Sequence, residues 1–218
     1  MSDLPALIFD LDGTLVDSLP DLHRAVNAAF ARLDHQFSLG DIRGFVGNGA
    51  PMLISRAMAA LGRSGDGLHR DLHAAFMADY KANPAGATTI YPGTIQALNG
   101  LLARGHKLAL CTNKPEVPAR SLLRIMGLAR FFPIVVGGDS LPTRKPDPAP
   151  ALACLKATGA ARALFIGDSE VDAETATRAG MPFLLFTQGY RKTEIDSIPH
   201  TARFDHHDAL PDLVQAFS

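Results

Sequence analysis

Ala6-Leu7-Ile8-Phe9-Asp10-Leu11-Asp12-Gly13-Thr14-Leu15-Val16-Asp17-Ser18 is the stretch on which the fold turns. Its opening run, Ala6 to Leu11, is apolar apart from Asp10 and too short for a helix, the pattern of a strand buried on both faces of a parallel sheet. Four more such runs follow: Lys107 to Cys111, Ile134 to Val136, Ala163 to Ile166 and Pro182 to Phe186. Between the later runs, Thr94 to Arg104, Val117 to Met126, Pro148 to Thr158 and Val171 to Ala179 carry apolar residues at three- and four-residue spacings. Gly105, Gly127, Gly159 and Gly180 stand where C-terminal stops are expected. Alternating strand and helix predicts an α/β fold, a doubly wound parallel sheet of Rossmann-like type.

One connection is too long for that pattern. About 95 residues separate the first strand run from the second, where a crossover needs only about a dozen. Leu19 to Leu33, Ala50 to Leu61 and Leu68 to Asn83 read as amphipathic helices, so residues 18–85 are expected to form an inserted α-helical cap. The core domain then comprises residues 1–17 and 86–218, with Pro84, Gly86, Pro92 and Gly93 marking the return.

Composition narrows the function classes. The 218 residues are 47% hydrophobic and 20% charged, and no apolar run reaches the ~18 residues of a membrane span. Lys and Arg total 21 against 22 for Asp and Glu, which offers no basic excess for nucleic acid or an anionic membrane surface. Only four of the acidic residues are Glu, namely Glu116, Glu170, Glu174 and Glu194. Cys111 and Cys154 lie in apolar runs and read as buried thiols of a reducing compartment. With no basic, small-residue leader pattern at the start, a cytoplasmic location is expected.

Ligand sites of open α/β sheets lie beyond the carboxyl ends of the strands. Asp10 and Asp12 fall there, two residues apart, so alternation sends both side chains to one side, while Gly13 and Thr14 permit a sharp turn. A second acidic turn, Gly167-Asp168-Ser169-Glu170-Val171-Asp172, follows another strand run. Converging carboxylates repel one another unless a cation lies among them, and an all-oxygen set favours Mg²⁺. Two further strand ends suit a phosphate: Thr112-Asn113 offers a hydroxyl and N–H groups at a helix start, and Lys145, fixed by Pro146, offers an ammonium.

Phe9 to Ser18, Thr112-Asn113, Lys145-Pro146 and Gly167 to Asp172, in that order, resemble the four motifs of the haloacid dehalogenase superfamily in its phosphatase branch. The resemblance covers nearly the whole chain. Val46 to Ala50, Tyr91-Pro92-Gly93, Cys111 to Pro115, Gly137 to Pro142 and Lys145 to Pro148 are similar to strings of bacterial phosphoglycolate phosphatases within that superfamily. It implies a Mg²⁺-dependent phosphomonoester hydrolase acting on a small anionic phosphorylated metabolite, 2-phosphoglycolate first among them. It further implies that Asp10 is the nucleophile and Asp12 the general acid and base. The metal would be held by Asp10, the Asp12 backbone carbonyl and Asp168, supported by Asp172, and the phosphoryl oxygens by Thr112, the Asn113 N–H and Lys145.

For the substrate's anionic tail, N–H groups near Gly47, Asn48 and Gly49, with Arg43, are the candidates. Phosphatases of other sugar phosphates, a phosphosugar mutase using the same aspartyl-phosphate and a non-enzymatic binding protein of the same fold are the competing readings. A dehalogenase is disfavoured by Asp12 and the Asp168 turn. A phosphonatase is disfavoured because Lys81, the only lysine of the cap, lies at a helix end. A monomer and a homodimer are equally compatible with the sequence. The kinase-like His69-Arg70-Asp71-Leu72 string lacks its Asn, which is Phe76 here, and is read as helix surface along with His73. His206-His207 is read as a solvated loop.

Overall fold

A computed structural model describes residues 4–217. The order is β1 (Ala6–Phe9), β2 (Val16–Asp17), α1 (Leu19–Phe30), α2 (Leu39–Phe45), α3 (Ala50–Ala60), α4 (Asp66–Ala82), β3 (Thr89–Ile90), α5 (Thr94–Ala103) and β4 (Leu108–Cys111). There follow α6 (Glu116–Ile125), β5 (Ile134–Val136), α7 (Ala149–Thr158), β6 (Ala163–Gly167), α8 (Glu170–Ala179), β7 (Phe183–Phe186), β8 (Ala202–Phe204) and α9 (Leu210–Gln215).

Six strands pair in parallel in the order β5-β4-β1-β6-β7-β8. The first strand is therefore central, between β4 and β6, and the chain reverses its direction of winding beside it. Alternation divides β1 between two apolar layers. Leu7 and Phe9 face a cluster that includes Leu98 and Leu101 of α5, Leu122 of α6 and Val214 of α9. Ala6 and Ile8 face Ala151 and Cys154 of α7 and Ala173 and Ala176 of α8. The four inner strands β1, β4, β6 and β7 are buried on both sides, which is why these runs read as continuously apolar. Both cysteines are free thiols inside the second layer.

The expected doubly wound sheet is present, and helices α5 to α8 begin and end within one residue of expectation. Five elements went unforeseen: β8, α9, α2 and the paired β2 and β3. The first two are short and carry charge or proline. The third has two glycines in seven residues and is held by its N-terminal cap, where the Ser38 N–H donates to Asp41 Oδ2 (2.8 Å) and the Asp41 N–H to Ser38 Oγ (3.2 Å). The inserted segment thus has four α-helices rather than three. His207 also differs from expectation: it is buried against Phe186, ring centroids 4.5 Å apart, and burial lowers its pKa to about 4. His69 and His73 stack on α4, and His69 Nε2 donates to the Pro51 carbonyl (2.9 Å). No helix among the described residues is long and apolar enough to cross a membrane.

Helices α1 to α4 pack on one another around their own cluster, with Phe30, Ile42, Ile54, Leu72 and Phe76 buried at its centre. Chain leaves and returns side by side, because β2 and β3 form an antiparallel ribbon pairing Val16 with Ile90 and Asp17 with Thr89. Buried Asp21 fastens the return, its Oδ2 accepting from the N–H groups of Ala87 (3.0 Å) and Thr88 (2.8 Å) and the Thr88 hydroxyl (2.7 Å).

Phe30→Ala empties the centre of this separate cluster and should destabilise the helical segment by about 3–5 kcal/mol. Hydrogen exchange is expected to show protection lost across α1 to α4 while β1, β4 and β6 keep theirs; uniform loss over the chain would contradict two separate packing units.

Candidate active site

Because β4 and β6 flank β1, the loops that follow these strands meet at one sheet edge. Phe9 ends β1, and the Asp10 N–H still bonds to the Ile166 carbonyl of β6 (2.9 Å). The chain then folds tightly on itself: the Leu11 carbonyl accepts from Leu15 N–H (2.9 Å), and Gly13 N–H donates to the Val16 carbonyl (2.9 Å). Gly13 adopts φ +88°, and a Cβ there would lie 2.5 Å from Asp168 Oδ2. Glycine is required at this point both by conformation and by the closeness of the second acidic loop.

Lys145, buried, lies with Nζ 2.9 Å from Asp10 Oδ1 and 2.7 Å from Asp172 Oδ1. Burial favours a neutral amine, but the two carboxylates outweigh it and hold the ammonium charged well above its ordinary range. Asp10 feels the opposite balance. Burial raises its carboxyl, Lys145 pulls it down and Asp172 pushes it up again, and the balance leaves it at about 6. Asp168 is raised further by burial and by Asp172 and Asp10, against the Thr14 hydroxyl on Oδ1 (2.6 Å) and the Tyr190 N–H on Oδ2 (2.7 Å).

Asp172 sits in the first turn of α8 with both oxygens engaged. Lys145 holds Oδ1, while Oδ2 accepts from the Ser169 hydroxyl (2.6 Å) and from the N–H groups of Ser169 (3.1 Å) and Asp168 (3.2 Å). One oxygen each from Asp10, Asp168 and Asp172 fall within 4.8 Å of one another. Two raised carboxylates beside a third, with an all-oxygen donor set, fit a hard divalent cation.

Asp12 faces the same recess but a different lysine. Lys114 Nζ lies 2.9 Å from both its oxygens, and the Ser18 hydroxyl donates to Oδ1 (2.5 Å). Asp12 and a neighbouring Tyr80 hold the Lys114 ammonium charged despite burial. The Thr112 hydroxyl accepts from the Lys114 N–H (3.2 Å), which orders the turn after β4. Asn113 Nδ2 donates to the carbonyls of Lys145 and Gly47 (3.0 Å each), tying the loop before α3 to the sheet edge.

Asp10, Asp12, Thr112, Asn113, Lys145, Asp168 and Asp172 therefore converge, and Gly47 and Gly49 line the recess with them. Arg43 and Asn48 do not line it. The Arg43 guanidinium lies over the Tyr190 ring at 5.9 Å from its centroid, and Asn48 Oδ1 accepts from Arg56 (2.6 Å). Sequence reasoning passed over Lys114, Thr14 and Tyr190. Lys114 and Thr14 lay inside the informative strings, but spacing does not tell which loop side chain turns inward. Tyr190 follows Gly189, where a Cβ would meet Asp168 Cβ at 2.3 Å. Its hydroxyl donates to Asp17 Oδ1 (2.6 Å) and accepts from the Leu19 N–H (3.0 Å), joining the acidic cluster to the start of α1.

The raised Asp10 carboxyl makes a stability prediction for divalent-free protein. Between about pH 4, where it ionises in the unfolded chain, and about pH 6, where it ionises in the folded one, the native state binds more protons. Its stabilising contribution is complete below that window and disappears as pH rises through it. In chelator, urea midpoints of the native protein relative to Asp10→Asn should fall from pH 4 to pH 7; a pH-independent difference would contradict this.

Residues 4–180 match the haloacid dehalogenase-like hydrolase family. A phosphoglycolate phosphatase of Cereibacter sphaeroides is 50% identical over 215 residues, spanning 97% of this chain and 98% of its own. That of Rhodobacter capsulatus is 44% identical over 216 residues, with 98% of each chain covered. The crystal structure of a predicted phosphoglycolate phosphatase from Haemophilus somnus 129pt superposes with a TM-score of 0.92 at 31% identity, covering 99% of this chain and 100% of that one. With a central strand ending in the paired aspartates and relatives matched nearly end to end, the chain belongs to the haloacid dehalogenase-like hydrolases.

Proposed function

We propose that the chain is a phosphomonoester hydrolase working through an aspartyl-phosphate, with 2-phosphoglycolate as its substrate. The observation that carries this reading is the Asp10–Asp12 pair at the end of β1, one carboxylate against Lys145 and the other against Lys114. The relatives named phosphoglycolate phosphatases supply the substrate.

In this reading the Asp10 carboxylate attacks phosphorus in line with the ester oxygen. The O–P bond to Asp10 forms as the ester P–O bond breaks, and Asp12 gives a proton to the departing alkoxide. Asp12 then takes a proton from water attacking the aspartyl-phosphate, which releases phosphate and restores Asp10. Lys145, the Asn113 N–H and the Thr112 hydroxyl face the phosphoryl oxygens as negative charge spreads over them. The Ser18 hydroxyl on Asp12 Oδ1 fixes the direction of that carboxyl.

Mg²⁺ would be held by the Asp10 and Asp168 side chains and the Asp12 carbonyl, with Asp172 supporting. When bound it would offset the repulsion between an anionic nucleophile and an anionic substrate. Residues 18–85 act as a cap over the core of residues 1–17 and 86–218. Gly47 and Gly49 contribute backbone to the wall of the site, whereas Arg43 and Asn48 are withdrawn from it.

Phosphate release from 2-phosphoglycolate should require Mg²⁺ and be abolished by chelation. Asp10→Asn should remove turnover altogether, and Asp12→Asn should lower kcat by about 10²–10⁴. Wild-type rates in Asp10→Asn would refute the mechanism. A substrate panel ranked by kcat/KM with 2-phosphoglycolate near the bottom would refute the substrate.

A further inference from the structure

Beyond the residues assigned above, the recess holds two polar groups on the side away from Lys145. Lys114 comes from the loop after β4, and Tyr80 from the last turn of α4 in the helical insert. The Lys114 ammonium lies 4.7 Å from the centroid of the Tyr80 ring, its side chain 6% exposed. The Tyr80 hydroxyl is buried without a hydrogen-bond partner. An unmet buried hydroxyl is disfavoured, and here it belongs to a residue that lines the recess. Around the two groups the wall is apolar, formed by Leu22, Leu53, Phe76 and Met77.

We propose that Lys114 and Tyr80 form the subsite for a carboxylate carried by the alcohol portion of the phosphomonoester. The inference rests on the phosphatase reading and names the feature by which the site selects its substrate. A carboxylate accepts from both an ammonium and a hydroxyl, and so gives the unmet Tyr80 proton an acceptor. A polyol would bring several donors and acceptors to a wall that has Leu, Phe and Met to offer them. Closeness to Asp12 sets the length: Lys114 already touches that carboxylate at 2.9 Å, so the anion it serves lies only one or two carbons beyond the ester oxygen. One ammonium is then shared between Asp12 and the substrate carboxylate. Because the two groups come from the sheet edge and from the insert, a carboxylate bound here bridges them, which an uncharged alkyl group cannot do.

The test compares 2-phosphoglycolate with ethyl phosphate, which has a methyl group in place of the carboxylate. Wild-type enzyme should favour 2-phosphoglycolate. Lys114→Met should lower kcat/KM for it about 100-fold more than for ethyl phosphate. Tyr80→Phe, which keeps the ring and the packing of α4, should show a selective loss of about tenfold and serves if Lys114→Met does not fold. Equal losses on both esters would overturn the proposal and leave Lys114 as a partner of Asp12 alone. Equal wild-type rates on the two esters would also overturn it, with the phosphatase reading intact. Hydrolysis of neither ester would remove both.

Discussion

A buried ammonium must be paired or lose its charge, and Lys145 meets that constraint between Asp10 and Asp172. The lysine is held by carboxylates from two strand ends, so β1 and β6 must be neighbours and α8 must begin at a fixed height above the sheet. Asp172 in turn is saturated by Ser169 and by backbone N–H groups, which leaves it unable to swing away. The loop carrying Lys145 is anchored from its other side by Asn113. The central ion pair is thus held from one side by a carboxylate with both oxygens engaged and from the other by the Asn113 amide. This is how positive charge is kept in place at a site built mostly of acids.

Close packing of loops does the rest. Gly13 and Gly189 press against Asp168 from opposite elements, at distances no side chain would tolerate. Asp168 is therefore positioned by exclusion as well as by its hydrogen bonds to Thr14 and Tyr190. Asp10 and Asp168 sit above their ordinary ionisation range chiefly because burial disfavours their charged forms, with Asp172 adding repulsion, so the cost is electrostatic. A bound divalent cation would relieve it.

Much of this was legible in the sequence because the sheet is buried on both faces. Continuous apolar runs located the strands, and their carboxyl ends located Asp10, Asp12, Thr112, Asn113, Lys145, Asp168 and Asp172. The misses share a cause. Helix α2 and strand β8 are too short to display a period, and His207 is buried by Phe186 and Tyr91, which lie far from it in the chain. Lys114 and Arg43 show the same limit at the site. Both are cations near informative residues, Lys114 on a loop and Arg43 on α2, yet one turns to Asp12 and the other lies over Tyr190. That choice is made by packing between segments distant in sequence, which local pattern does not carry.

The ribbon of β2 and β3 makes the helical insert a closed excursion: entry and exit are hydrogen-bonded to each other before either reaches the sheet. The pairing that builds the six-stranded sheet consequently includes no residue between Asp17 and Thr89, and the insert meets the sheet edge through contacts such as the Asn113–Gly47 hydrogen bond. Of the pair proposed to read the substrate, Tyr80 lies inside that excursion and Lys114 outside it. Drift within the excursion can therefore alter one half of that subsite while the other half, bound to Asp12, is held constant.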